Sequence, residues 1–127
     1  MTTENDALVR DFCAAFARRN VDELLGFFTE DAIYHNMPLA PVQGKTGIRK
    51  VLEMFLSPAQ AVEFAILNLA SSGAVVLTER LDTFSIGGRT VALPIAGVFE
   101  VVEGKIAGWR DYFDMATWTK QATAAAG

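Results

Sequence analysis

The sequence predicts one α+β domain in which early helices pack on one face of a curved, largely antiparallel sheet. Three observations carry that expectation. Helical periodicity is confined to the chain before Pro58. Strand-type runs follow at about 61–70, 74–86, 89–102 and 105–115. The turn signals SSG, GG and EGK separate those runs at hairpin spacing. With 127 residues, 51% of them hydrophobic, the chain suffices for one substantial core, and no repeat or linker divides it, so 1–127 is read as one domain.

Taken in order, Leu8, Phe12, Ala15 and Phe16 recur at helical spacing behind a capping-type start at Thr3 and Asp6. Asn20 and Glu23 open a second, shorter helix containing Leu24, Leu25 and Phe28. Ala32–Asn36 (AIYHN) reads as a short strand, and NMPLAPVQG, with two prolines and a glycine, as a loop. Ile48, Val51, Leu52 and Phe55 mark a third helix. The remainder of the chain is read as a β meander.

Register decides where the charges of that meander point. A two-residue turn at Gly87-Gly88 pairs Ile86 with Arg89, which sets Asp82 opposite Leu93 and Arg80 opposite Ile95. Val91, Leu93, Ile95, Gly97 and Phe99 form one apolar face, so Arg80 and Asp82 share its side. At Glu103-Gly104, a strict two-residue turn puts Trp109 and Asp111 opposite Pro94 and Ala96. A three-residue loop with a left-handed Gly104 and a bulge instead brings Asp111 to Gly97 and Trp109 to Phe99. Only the second arrangement unites the two apolar faces, because a one-residue slip reverses every side chain. The bulge is therefore expected at Gly104.

On that register Arg80, Asp82 and Asp111 share one face. The carboxylates are two strands, about 10 Å of backbone, apart, so an arginine between them reaches both. Tyr34 and Asn36 project together from AIYHN, although the residues leave that strand's place in the sheet open. Each residue also has a plain structural reading: a solvated face or ion pair for Arg80 and Asp82, a salt bridge for Asp111, loop anchors for Tyr34 and Asn36. The constellation carries the functional reading. His35, Arg110, Tyr112 and Asp114 fall on the opposite side.

Bulk properties exclude several classes. A net charge of −4 with scattered Lys and Arg gives no reason to bind nucleic acid or anionic lipid. The polar start and the lack of an apolar segment of about 20 residues fit a soluble, cytoplasmic protein with no membrane partner. One histidine and one cysteine support no transition-metal cluster, and Cys13 is read as a packing residue. There is no Gly-rich phosphate loop.

The segments YHNMPLAP, TERLD, LPIAGVF and EGKIAGWRDYFD occur in that order within about residues 8–118. In them the chain resembles the limonene-1,2-epoxide hydrolase family, within the broader NTF2-like and SnoaL-like cone fold, whose curved mixed sheet holds N-terminal helices on its concave side. The resemblance implies that Asp111 is the general base on an attacking water held with Tyr34 and Asn36. It implies that Asp82 is the general acid for the epoxide oxygen and that Arg80 orients both aspartates. Leu93, Ile95, Trp109 and Phe113 match positions lining an apolar pocket, where Phe84 replaces a smaller aliphatic residue. The limonene enzyme's extra leading segment has no counterpart here. The implied partners are an epoxide, water and a second copy of the chain in a homodimer, with neither metal nor organic cofactor.

That chemistry suits the residues. Opening an epoxide in one displacement needs a base for water on one side and a proton donor for the departing oxygen on the other. Two carboxyls in a dry cavity separate their titrations, which supplies one of each. Two alternatives stand beside it: a ketosteroid isomerase-like or polyketide cyclase-like enzyme on the same scaffold, and a non-catalytic small-molecule-binding module.

Overall fold

A computed structural model describes residues 3–123. Helix α1 (Glu4–Ala15) opens with a capping box: the Asp6 amide donates to Thr3 Oγ1 at 3.0 Å, and the Thr3 amide donates to the Asp6 carboxylate. A 3-10 turn (Phe16–Arg18) follows, ending at Arg19 with φ 51°. Helix α2 (Val21–Leu25) is capped by Asn20, whose side chain accepts from the Glu23 amide. Strand β1 (Phe28–Asn36) starts four residues before AIYHN and takes in Phe28, which was expected on the second helix, because Phe28 as well as Ala32 and Tyr34 turns into the core. The predicted loop contains a two-residue strand, β2 (Val42–Gln43), paired to Ile33 and Tyr34, before helix α3 (Lys45–Leu56).

The long strands are β3 (Ala61–Ser72), β4 (Val75–Ile86), β5 (Arg89–Val102) and β6 (Lys105–Tyr112). They form one mixed six-stranded sheet in the order β2-β1-β6-β5-β4-β3, antiparallel except where β1 runs parallel to β6. The helices bury their apolar stripes against its inner face. Phe12 sits at the centre, edge-on to Phe28 at 5.3 Å and to Trp109 at 5.0 Å between ring centroids. Cys13 packs in the same core, and burial pushes its thiol up to about 12.

Two expectations need correction. The last strand ends at Tyr112 instead of about 115, and a helix, α4 (Met115–Thr123), follows where no helix was expected. Asp114 starts it by accepting from the Ala116 amide and the Thr117 hydroxyl. No residue of α4 is fully buried, so it shows no clear apolar period for a sequence reading to find.

The second correction concerns the bulge. Val102 pairs directly with Lys105, making a two-residue turn with both Glu103 (φ 48°) and Gly104 (φ 75°) left-handed. The irregularity lies inside the strand, where Val101 faces Ile106 but Glu100 faces Gly108, leaving Ala107 as the extra residue. The expected register survives because the insertion, one residue on either account, is the same.

Candidate active site

Alternation on β4 sends Thr78, Arg80 and Asp82 inward, and each is buried. Across the sheet Arg80 pairs with Ile95, Asp82 with Leu93, Thr78 with Gly97, and Gly97 in turn with Asp111. The parallel pairing of β1 and β6 then sets Tyr34 beside Trp109 and Asn36 beside Asp111. Local alternation thus aims each side chain, and strand order gathers them into one cluster.

Arg80 is the hub. Its side chain is 0% exposed, and all five N–H groups are used. Nε and Nη2 donate to Asp82 at 3.0 and 2.8 Å; Nη1 and Nη2 donate to Asp111 at 3.1 and 2.7 Å; Nη1 also donates to Thr78 Oγ1 at 3.2 Å. The guanidinium also lies over the Phe64 ring at 5.0 Å. Gly97 makes room for this arrangement, since a Cβ there falls inside contact distance of Arg80 Nη1 and 2.8 Å from Asp111 Oδ1.

Charge counting explains the electrostatics. One guanidinium neutralises one carboxylate, leaving the second as a surplus negative charge in a water-poor site. Burial pushes the Asp82 carboxyl up to about 6; Arg80 pulls against that and the Asp111 charge adds to it. Burial opposes the Arg80 charge, yet Asp111 and Asp82 outweigh it and hold the guanidinium well above its ordinary value. Burial, then Asp111, raises the Tyr34 phenol, so it remains a neutral hydroxyl.

Asp82, Asp111, Tyr34 and Asn36 open onto a narrow cavity. Leu93, Ile95, Phe84 and Phe113 are among the side chains that line it. Trp109 does not: it is fully buried behind the wall, stacked on Tyr34 at 4.0 Å, and its Nε1–H donates to Asp111 Oδ1 at 2.7 Å. An indole with one donor and a carboxylate two residues away on the same strand face is a pairing the spacing already offered. Sequence reasoning also missed Phe16, Leu52, Phe55, Leu56, Phe64 and Trp118 as lining residues, together with Thr78 as a partner of Arg80. Their helices and strand carry them over the sheet from distant parts of the chain.

Trp118 reaches the cavity because α4 is tied down. Strand β6 pairs with β5 only from Ala96 onward, leaving the first half of β5 without that neighbour. The Gln121 side chain pairs there with the Ala92 amide and carbonyl at 2.8 and 2.7 Å, and Arg89 donates to the Ala122 carbonyl. Among the described residues no group of three or more His, Cys, Asp and Glu side chains is placed to hold a metal ion, and no helix is long and apolar enough to cross a membrane.

Fold and site together define a cone of the NTF2-like class with a buried, arginine-bridged pair of carboxyls at its centre. Residues 3–124 match the family model described as the limonene-1,2-epoxide hydrolase catalytic domain. The chain is 33% identical over 107 residues to epoxide hydrolase EphG of Mycobacterium tuberculosis, covering 84% of this chain and 71% of that protein. A solved LEH-like epoxide hydrolase from M. tuberculosis superposes with a TM-score of 0.82 at 30% identity, over 98% of this chain and 96% of that one. An NTF2-like protein from Burkholderia pseudomallei shares the fold, with a TM-score of 0.84 at 18% identity over 96% and 99% of the two chains. The chain belongs to the limonene-1,2-epoxide hydrolase family and is an epoxide hydrolase.

Proposed function

We propose that the protein adds water to a small apolar epoxide, giving a vicinal diol in one step without a covalent intermediate. The observation that carries this reading is the single guanidinium shared by two buried carboxyls, one of them raised to about 6. In the proposed step Asp111, ionised, takes a proton from a water held by Tyr34 and Asn36 as that water attacks a ring carbon. The carbon–oxygen bond breaks, and protonated Asp82 gives its proton to the leaving oxygen. One proton arrives on Asp111 as another leaves Asp82, so Arg80 faces one net negative charge throughout. Its near-equal bonds to both carboxyls suit that exchange, because little reorganisation accompanies it.

The apolar lining supports a hydrocarbon substituent, since neither a charged nor a strongly solvated group finds partners there beyond the polar cluster itself. The homodimer belongs to the same proposal: Ile33, Leu77, Val102 and Tyr112 lie exposed on the sheet's outer face, interspersed with the Arg110–Glu100 ion pair, as contacts for a second copy. Light scattering that returns a monomer mass at working concentration removes that part.

A single turnover in heavy-oxygen water tests the mechanism. Label is expected in the diol at once; label found first in an enzyme carboxylate defeats direct water attack. Asp111→Asn and Asp82→Asn are each expected to abolish turnover in folded protein, and retained activity in either removes that residue's role.

A further inference from the structure

The cavity wall is uneven in a way that bears on which epoxide it takes. Besides Tyr34 of the polar cluster, six of its lining residues are aromatic: Phe16, Phe55, Phe64, Phe84, Phe113 and Trp118. They come from five different parts of the chain, and most are linked ring to ring. Phe16 stacks on Phe64 at 3.9 Å; Phe64 meets Phe84 edge-on at 6.1 Å; Phe84 and Phe55 each meet Trp118 edge-to-face at 5.2 Å, with interplanar angles of 90° and 83°. Such a wall offers both ring edges and ring faces, which carry opposite partial charge. A saturated ring of similar size gains contact area from that wall but cannot match the pattern of charge.

Resting on the epoxide-hydrolysing reading of the site, we infer that the pocket selects epoxides bearing an uncharged aryl group on a short arm. The oxirane then lies at the Asp82–Asp111 cluster and the aryl ring enters the continuous array formed by Phe64, Phe84, Phe55 and Trp118. Area burial alone predicts the reverse order, because a cyclohexyl ring carries more apolar hydrogen-clad surface than a phenyl ring. The two explanations therefore differ in sign.

The test compares benzyloxirane with (cyclohexylmethyl)oxirane, whose methylene arm insulates the reacting carbons from the ring. The aryl epoxide is expected to show a kcat/KM higher by about fivefold, expressed mainly in KM. In Phe84→Leu and Trp118→Leu the ratio is expected to fall toward one. Equal or reversed preference in the unaltered protein, or a ratio unmoved in both variants, overturns the inference. Titration with the two corresponding diols reads the same preference without turnover. Tighter binding of the aryl diol with neither epoxide hydrolysed sinks the hydrolase reading and keeps the aryl site; equal binding sinks the aryl site.

Discussion

Adding one methyl group at Gly97 tests the geometry of the cluster directly. Gly97 has an ordinary backbone conformation, so Gly97→Ala introduces no dihedral strain and, by stiffening the unfolded chain, favours folding by about 0.4–1 kcal/mol. The new Cβ, however, meets Arg80 Nη1 first, then Asp111 Oδ1 at 2.8 Å and Thr78 Oγ1 at 2.9 Å. Carbon reaches its best contacts at about 3.5–4.0 Å, so these groups must move apart by more than about 0.5 Å. Arginine is flexible, but here its tip is fixed by five bonds in a packed interior. Losing the two Nη1 bonds, one to a carboxylate, costs roughly 2–4 kcal/mol, several times the entropic gain. A base displaced on this scale lowers kcat/KM by about 100-fold. Urea unfolding and steady-state hydrolysis measure the two effects. A variant as stable as the parent, with kcat/KM within about threefold of it, refutes the claim that Gly97 is the space through which Arg80 bridges the aspartates.

Four further outcomes are expected. Because Asp82 must carry a proton and its carboxyl is raised to about 6, kcat/KM is expected to fall about tenfold per pH unit above that value; a flat profile to pH 8 removes Asp82 as acid. The same shift ties stability to pH. With a folded value of about 6 against an ordinary 3.8, the contribution of Asp82 is fully present below 3.8 and is lost as pH rises through about 6, by roughly 3 kcal/mol. Unfolding midpoints of the parent at pH 5 and pH 8 are therefore expected to differ more than those of Asp82→Asn. Trp109→Phe keeps the ring stacked on Tyr34 but deletes the donor to Asp111 Oδ1; kcat is expected to fall about tenfold with KM little changed, and an unaltered kcat shows the bond to be idle. Gln121→Ala removes two bonds worth about 1 kcal/mol each, so hydrogen exchange across α4 is expected to quicken by roughly 10- to 30-fold while the β4–β5 core is unmoved; unchanged exchange shows that α4 docks by other means.

Much of this architecture follows from short-range rules. The capping box at Thr3, the Asn20 cap and the turn at Gly87-Gly88 are contacts between residues at most three apart, and each lies where the sequence predicts. Strand alternation needs only one fixed turn to orient a whole hairpin, which is why the facing of Arg80 and Asp82 toward Leu93 and Ile95 was legible by counting. At Glu103-Gly104 counting identified the correct facing but put the extra residue in the turn. The chain places it at Ala107, because an insertion anywhere between turn and apolar face satisfies the same pattern.

What sequence by itself determined was therefore the fold class, the starts of the first two helices and the side of the sheet on which the acidic residues lie. Tertiary structure alone decided that β1 runs parallel beside β6, so that Tyr34 and Asn36 meet Trp109 and Asp111. It also turned the Trp109 indole away from the cavity toward a carboxylate, and docked α4 on the uncovered part of β5 to bring Trp118 into the wall. The division has one physical reason. Caps, turns and alternation are set by neighbours along the chain, whereas strand order, indole orientation and the docking of an exposed helix depend on which distant surfaces become available once the sheet has formed.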